Sequence, residues 1–278
     1  MIREIWFESH GAKLFAAEEG QGRPVILLHG GLANHQACRL FAAPLAERFR
    51  LITPDLRASG RSIYAQPLGW NLLADDVAAL VDHLGVGPAV VGGISFGAGV
   101  AVRAALRHPG AIAALVVIHP AFGGADTGLT PAQQAAMDAM DAAGSRVVAE
   151  GIEVLYPLFD ALPPAVRERA RRVVATYDPA SVAATTRFMR TGGQPFATRA
   201  DLAAISVPTL LVPGVDPTHP VEVADVYRPI SRAAQCASPS SPSSPLRSPT
   251  SSIASCVEAR GPGGARSRYA VVMSTLSG

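Results

Sequence analysis

The chain has 278 residues, and its 24 Lys and Arg against 22 Asp and Glu give a net charge of +2 at pH 7. A chain of this length can bury a large core and fits one α/β domain that carries an insertion. No cluster of Lys and Arg with interleaved aromatic residues is present, which argues against nucleic-acid binding. Cys38, Cys236 and Cys256 form no CxxC pair, so we expect no disulfide framework, no metal site and no cofactor.

The sequence also argues against a membrane protein. Its first residues, MIREIWFESHG, carry charges where a signal peptide needs an apolar region. The longest apolar candidate, around Ser95, meets Arg103 before it reaches the roughly 18 residues that a membrane span needs. We therefore expect a cytoplasmic protein that acts on a small-molecule substrate, and the sequence makes no prediction of its oligomeric state.

Short apolar runs bounded by Gly, Pro or charged loops predict strands. These runs are Ile2–Ser9, Ala12–Glu18, Pro24–Leu28, Leu51–Pro54, Ala89–Ile94, Ala113–Ile118 and Pro208–Val212. The first two, joined at His10-Gly11, predict a hairpin. Helical segments alternate with the later strands: Leu72–Leu84, with Asn71 as N-cap and Gly85 as its end, and Phe96–Leu106. This alternation predicts a mostly parallel sheet with helices on both faces.

Two later regions differ from this pattern. Between Phe122 and Ala204 helical segments broken by Gly and Pro replace the strands, so we predict a helical cap, residues 122–204, inserted in a core of residues 1–121 and 205–235. Its larger apolar side chains are expected to form core more often than pocket lining. They are Met137, Met140, Leu155, Tyr156, Phe159, Tyr177, Phe188 and Met189. Residues 236–278 are rich in Ser, Pro and Arg and are expected to be a poorly packed tail.

The stretch PAVVGGISFGAGVAV places Ser95 between a strand and a helix, with Gly93 and Gly97 two positions to either side. In this context G-x-S-x-G is a nucleophile elbow, a turn so tight that the flanking positions must lack side chains. The following helix directs N–H groups and its positive end toward a developing oxyanion. Ser95 is therefore a candidate nucleophile.

Three further motifs follow strands. His29-Gly30-Gly31 follows the Pro24–Leu28 strand, and the N–H groups of Gly31 and Phe96 together are the predicted oxyanion hole. His29 is expected to fix the loop. DLRASGRS, residues 55–62, predicts a loop held by the Asp55 and Arg57 side chains. VPGVDPTHP, residues 212–220, places Asp216 on the same edge of the sheet as Ser95.

The order HGG, D-x-R-x-x-G-x-S, G-x-S-x-G and a strand ending in G-x-D-P resembles the α/β-hydrolase superfamily over residues 1–230. The resemblance implies an α/β-hydrolase fold and a Ser–His–Asp triad that hydrolyses an ester, amide or related bond through an acyl-serine. Ser95 matches the nucleophile, Asp216 the acid, and Gly31 and Phe96 the oxyanion positions. A serine at position 95 also separates the chain from the haloalkane dehalogenases and epoxide hydrolases, which carry Asp there.

The chain departs from the family at the base, because no histidine follows His219. Three explanations stay open. His219, three residues after Asp216, takes the role; or the atypical tail replaces a lost C-terminus and the enzyme is inactive; or His119 or His35, near the same edge, supplies the base.

These observations predict a serine hydrolase that acts on a small or medium apolar ester-like substrate. One alternative is an enzyme of the same fold with different chemistry, such as a carbon–carbon bond hydrolase or a cofactor-free haloperoxidase. The other is a catalytically impaired member that only binds a small ligand.

Overall fold

The computed structural model describes residues 2–64 and 66–231 and, as backbone only, residues 236–237 and 271–272. The strands of its main sheet are β1 Arg3–Ser9, β2 Ala12–Glu19, β3 Pro24–Leu28, β4 Arg50–Pro54, β5 Ala89–Ile94, β6 Ile112–Ile118 and β7 Thr209–Val212. The α-helices of the described residues are α1 His35–Ala42, α2 Trp70–Leu84, α3 Phe96–Arg107, α4 Pro131–Gly144, α5 Val147–Glu150, α6 Pro164–Val174, α7 Pro179–Thr191 and α8 Val221–Tyr227. Short 3₁₀ segments cover Ala43–Glu47, Pro109–Ala111, Ile152–Phe159, Arg199–Ala204 and Arg228–Ile230.

The seven strands lie in the order β1-β2-β4-β3-β5-β6-β7. Both pairings of β2, with β1 and with β4, are antiparallel, and the pairings from β4 to β7 are parallel. Each parallel crossover carries at least one helix, because the chain must return to the opposite end of the sheet before the next parallel strand begins. The predicted fold class, a mostly parallel sheet flanked by helices, is confirmed.

Alternating side chains of β3 show why its sequence is apolar throughout. Val25 and Leu27 pack in the cluster that contains Cys38 and Ala42 of α1. Ile26 and Leu28 point the other way, into the larger cluster formed with α2 and α3. All four strand residues are buried, so each stabilises the fold by about 1.5–3 kcal/mol through loss of water contact. A strand buried on both faces cannot alternate with polar residues.

The predicted hairpin forms between β1 and β2, with Arg3 opposite Glu18 and Ser9 opposite Ala12. His10 and Gly11 have φ angles of 45° and 72°, both in the left-handed region that two-residue hairpin turns favour.

The start of α2 differs from the prediction. The helix begins at Trp70 with Gly69 at the N-cap, whereas Asn71 had been expected to cap a helix from Leu72. Trp70 is buried, with its ring centroid 5.0 Å from that of Phe122. This packing explains why the helix begins two residues earlier than predicted. Asn71 instead accepts a hydrogen bond from Arg103 Nε on α3 at 2.8 Å. Gly85 ends the helix with φ of 60°, as its sequence predicts.

Residues 122–204, all of them described, contain α4 to α7 and no strand. Pro164 and Pro179 each occupy the first turn of a helix, where the missing N–H has no intrahelical acceptor to lose. Part of the segment forms a separate apolar cluster around Leu155 and Tyr177. The division of the chain into core and cap stays a prediction.

The predicted tail, residues 236–278, lies outside the described residues except for the backbone of Cys236–Ala237 and Val271–Val272, which pair in parallel. Across the described part of the chain, no helix combines the length and the apolar character that crossing a membrane requires.

Candidate active site

Four parallel strands end together and bring the predicted site residues to one edge of the sheet. Leu28 pairs with Gly93, Ile94 with Ile118, and Ile118 with Val212. The loops after these strands carry Gly31, Ser95, His119 and the segment from Asp216 to His219. In open α/β sheets this carboxyl edge is where ligands bind.

Ser95 occupies a strained turn between β5 and α3. Its φ of 54° and ψ of −112° lie in a region that residues with a side chain rarely adopt. The strain is maintained because Ser95 N–H donates to Ile118 O at 2.9 Å. The flanking glycines are required by contact: a Cβ on Gly93 would lie 2.0 Å from Gly97 O, and one on Gly97 would lie 2.4 Å from His29 O. The structure therefore has the elbow that the motif predicts.

The structure places His219 against the Ser95 hydroxyl. His219 Nε2 lies 2.8 Å from Ser95 Oγ, within the reach that proton transfer requires. On the other side of the ring, His219 Nδ1 lies 2.9 Å from Asp216 Oδ2 and 3.1 Å from Oδ1. A proton on Nδ1 therefore donates to the carboxylate, which leaves the Nε2 lone pair free to accept from Ser95.

Asp216 is held by its own loop. Thr218 donates to Asp216 Oδ1 twice, from its N–H at 2.9 Å and its hydroxyl at 2.6 Å, and His219 N–H donates to the same oxygen at 3.0 Å. Burial raises the pKa of Asp216, but the hydrogen bonds from Thr218 and His219 outweigh it, and the pKa falls from 3.8 to about 2. The carboxylate is therefore ionised throughout the neutral range, although half of its side chain is exposed.

Gly31 and Phe96 lie side by side next to Ser95. A Cβ on Gly31 would be 3.9 Å from Phe96 Cβ, and both residues line the cavity that contains Ser95. Phe96 is the first residue of α3, so its N–H has no acceptor within the helix. Within the described ranges no hydrogen-bond acceptor meets Gly31 N–H either. Two free amides beside a nucleophile are the donors that an oxyanion hole needs.

The other three histidines of this edge have different environments. His29 is buried and fixed: its Nε2 accepts from Leu56 N–H at 3.0 Å and its Nδ1 donates to Gly30 O at 2.7 Å. Burial lowers the pKa of His29, in keeping with this neutral form. His35 Nδ1 lies 2.8 Å from Asp55 Oδ1, so this candidate base is engaged away from Ser95.

His119, the remaining candidate base, lies behind His219. The two ring centroids are 6.1 Å apart, and no hydrogen bond joins His119 to Ser95 among the described residues. Burial lowers the pKa of His119, and the neighbouring His219 lowers it further. Of the histidines considered from sequence, His219 is the one that the structure brings to Ser95.

The DLRASGRS loop forms around Asp55, whose carboxylate accepts from His35 N–H at 2.6 Å and Arg61 N–H at 2.8 Å. Gly60 has φ of 50°, and a Cβ there would lie 2.4 Å from Asp55 Oδ2. Arg57 is fully buried and binds Asp76 through Nε at 2.8 Å and Nη2 at 2.6 Å. The loop supports the sheet edge rather than contacting Ser95.

A cavity of about 330 Å³ opens at Ser95 and His219. Its walls are mainly apolar and include α4 and α7 of the segment between β6 and β7. The lining side chains with apolar character are Leu32, Phe96, Ala121, Phe122, Ala136, Met137, Ala139, Met140, Leu158, Phe159 and Met189. Four residues for which the sequence favoured a core role, Met137, Met140, Phe159 and Met189, therefore line the cavity as well. Among the described residues that line the cavity, His219 is the one whose side chain can carry a charge.

The chain is similar in sequence and in fold to known proteins. A family model described as "alpha/beta hydrolase fold" matches residues 23–150. A thermophilic esterase from Thermogutta terrifontis superposes with a TM-score of 0.67 at 27% identity, covering 82% of this chain and 86% of that chain. Residues 23–150 therefore match the α/β-hydrolase family, and the chain has the α/β-hydrolase fold.

Two curated relatives match about a third of the chain. The AB hydrolase superfamily protein YisY of Bacillus subtilis is 38% identical over 100 residues, 35% of this chain and 37% of its own length. Lipase LipV of Mycobacterium tuberculosis is 38% identical over 97 residues, again 35% of this chain and 37% of its own length. The chain thus spans about two fifths of the length of these relatives. Ser95, Asp216 and His219 follow one another along the chain in the order that the resemblance implies for nucleophile, acid and histidine.

Two residues at the site were missed from sequence. Thr218 lies in the VPGVDPTHP motif, whose pattern predicts no role for it, yet it supplies two donors to Asp216. Gln133, on α4, donates to Thr218 O at 3.1 Å. The spacing Thr130-x-x-Gln133 is a signal for a helix start, which it forms, but the spacing contains no information on a contact 85 residues away.

Proposed function

We propose that the chain is a serine hydrolase that cleaves small or medium apolar esters through an acyl-serine intermediate. The observation that carries the proposal is the continuous set of short contacts from Asp216 Oδ2 to His219 Nδ1, 2.9 Å, and from His219 Nε2 to Ser95 Oγ, 2.8 Å. A hydroxyl is a weak nucleophile until a base accepts its proton. We assign the role of base to His219, and its distance to Ser95 supports this assignment.

The proposed reaction proceeds in two halves. Ser95 Oγ attacks the ester carbon while its proton passes to His219 Nε2, and Asp216 stabilises the resulting imidazolium. The carbonyl oxygen becomes an oxyanion beside Gly31 and Phe96 N–H. The carbon–oxygen bond to the alcohol then breaks, and the alcohol leaves with the proton from Nε2. Water repeats the sequence on the acyl-serine: it gives a proton to Nε2, and Ser95 regains one as the acid departs.

The cavity supports an apolar, uncharged substrate. Its described lining residues include no Lys or Arg and are mostly Leu, Phe, Met and Ala, so a substrate carboxylate or phosphate would lose its hydration without gaining a Lys or Arg partner from them. The names of two similar proteins, an esterase and a lipase, agree with ester hydrolysis. We also propose that residues 122–204 form a cap over the site and that the protein is cytoplasmic.

His219 also bears on the alternative of a protein that only binds a small ligand. This alternative was considered because His219 is the last histidine of the sequence, whereas the family's catalytic histidine is expected further along the chain. Since His219 itself reaches both Ser95 and Asp216, the site does not need a histidine from further along.

Hydrolysis of p-nitrophenyl acetate, butyrate and octanoate by the parent and by Ser95→Ala tests the proposal. We expect turnover by the parent, a single acyl adduct on Ser95 by mass spectrometry, and loss of both in Ser95→Ala. A folded Ser95→Ala protein that hydrolyses these esters as fast as the parent would refute the proposal.

A further inference from the structure

Gln133 joins α4, which lines the cavity, to the loop that carries His219. Its side chain is buried, with 1% of the residue exposed. Nε2 donates to Ala121 O at 2.7 Å and to Thr218 O at 3.1 Å. Oε1 accepts from Thr130 N–H at 3.0 Å and from the Thr130 hydroxyl at 3.2 Å. Every polar atom of the amide therefore has a partner.

The partners fix which end of the amide is which. The two carbonyl oxygens of Ala121 and Thr218 can only accept, so they must face the NH₂ group. Thr130 N–H can only donate, so it must face Oε1. A rotated amide would place oxygen against two oxygens in a buried site, which costs free energy on three hydrogen bonds at once.

Thr218 connects this amide to the catalytic groups. Its N–H and hydroxyl bind Asp216 Oδ1, while its carbonyl, the one bonded to the His219 nitrogen, accepts from Gln133. The Thr218–His219 peptide is thus held on both sides. Among the described residues, the side chains outside 213–220 that hydrogen-bond to residues 213–219 are those of Ser95 and Gln133.

The loop needs such a support because little else anchors it. Half of the Asp216 side chain is exposed, and Val215 is 88% exposed. A loop with so little apolar burial keeps one geometry only if buried polar contacts hold it. Gln133 supplies a contact of this kind from a helix.

We propose that Gln133 is a positioning residue that holds the Thr218–His219 peptide so that His219 Nε2 stays on Ser95 Oγ; this rests on the proposed function. Met137 and Met140 on the same helix line the cavity. A substrate that packs against these two side chains therefore contacts the helix that holds the base, and the cavity and the base are coupled through α4.

The test compares Gln133→Met with Thr130→Ala. Gln133→Met keeps the length of the side chain and removes both donors, whereas Thr130→Ala weakens the start of α4 and leaves Gln133 Nε2 free to bind Thr218 O. We expect Gln133→Met to slow labelling of Ser95 by a fluorophosphonate probe by about 10- to 100-fold, the loss that a displacement near 1 Å produces. For ester hydrolysis the loss should be in kcat rather than KM. Thr130→Ala should label within about threefold of the parent, because the His219 loop keeps its support.

Gln133→Glu gives a second readout, the pH dependence of Ser95 labelling, which a merely structural role of Gln133 would not change. When protonated, the introduced carboxyl can still donate one hydrogen bond to a carbonyl; when ionised, it repels both. The labelling rate of Gln133→Glu divided by that of the parent should therefore fall as pH rises. This ratio also decides the question if Gln133→Met does not fold.

The outcomes separate the inference from the proposed function. A parent that labels, a His219→Ala variant that does not, and a Gln133→Met variant equal to Thr130→Ala would overturn the role of Gln133 alone. A flat Gln133→Glu ratio would overturn it as well. A folded parent that does not label, or a His219→Ala variant that labels as fast as the parent, would overturn the proposed function and the inference with it.

Discussion

The Cα atom of Gly214 packs directly against the backbone and Cβ of His219. A Cβ built on Gly214 would be 2.4 Å from His219 Cβ and 2.5 Å from His219 O, closer than any real Cβ contact. The loop between β7 and α8 therefore folds back on itself at this point, and its path from Asp216 to His219 depends on the absence of a side chain at position 214.

Gly214→Ala should consequently displace His219 while leaving the sheet intact. We expect the rate of Ser95 labelling to fall about 100-fold, as expected for a shift near 1 Å at a catalytic group. Gly110→Ala is the matched control, because a Cβ on Gly110 has open space and its labelling rate should not change. Equal labelling by Gly214→Ala and the parent would show that the loop tolerates the methyl group and that the contact does not position His219.

The low pKa of Asp216 predicts a pH dependence of stability. The pKa in the folded chain is about 2, below the ordinary 3.8, so the ionised form favours folding. This contribution is present above pH 3.8 and is lost as the pH falls toward 2. Urea denaturation between pH 5 and pH 2.5 should therefore show a smaller loss of stability in Asp216→Asn than in the parent. Identical losses in the two proteins would contradict the assigned hydrogen bonds of Asp216.

The Arg57–Asp76 pair predicts a large effect on stability far from the chemistry. The Arg57 side chain is 0% exposed and that of Asp76 is 7% exposed, so each charge depends on the other. Asp76→Asn leaves a buried guanidinium without its counter-charge and should lower the free energy of unfolding by about 3–5 kcal/mol.

The exposed Arg61–Glu4 pair, with side chains 42% and 58% exposed, is the control for that experiment. Glu4→Gln should leave the urea midpoint nearly unchanged, because water already screens the pair. If Asp76→Asn shifted the midpoint no more than Glu4→Gln does, the buried pair would not support the loop at residues 55–62.

The methionines that line the cavity are expected to limit the length of the acyl chain that the enzyme accepts. Met140→Trp replaces a flexible thioether with a larger, rigid ring and should reduce kcat/KM for an octanoate ester by about 10-fold or more relative to the acetate ester. Val166→Trp is the control, since Val166 is 50% exposed on α6 and does not line the cavity. An unchanged octanoate-to-acetate ratio in Met140→Trp would show that the acyl chain does not bind in this cavity.

The elbow could be predicted from sequence because both glycines that it requires lie two positions from Ser95. A Cβ on Gly93 would meet Gly97 in the same motif, and a Cβ on Gly97 would meet Leu28 and His29 at the end of the adjacent strand. The strand bounds followed from apolar runs for the same reason: Pro24–Leu28 and Ala89–Ile94 are predicted and observed with the same bounds.

The direction of the His219 loop could not be predicted, because the sequence does not show which distant residue contacts it. Pro217 and Pro220 restrict the loop and Gly214 lies against His219, but Gln133 on α4 contacts Thr218 from 85 positions away. The predicted start of α2 was wrong for a related reason. Trp70 joins the helix because it packs against Phe122, which is 52 positions away in the chain.

The central claim is that His219 is the base for Ser95, and paired labelling by a fluorophosphonate probe tests it most directly. Folded parent and folded His219→Ala are exposed to the probe and the adduct on Ser95 is followed by mass spectrometry. The account predicts brisk labelling of the parent and a loss of about three to four decades in His219→Ala, as in other triad knockouts. Brisk labelling of both proteins at the same rate would contradict it.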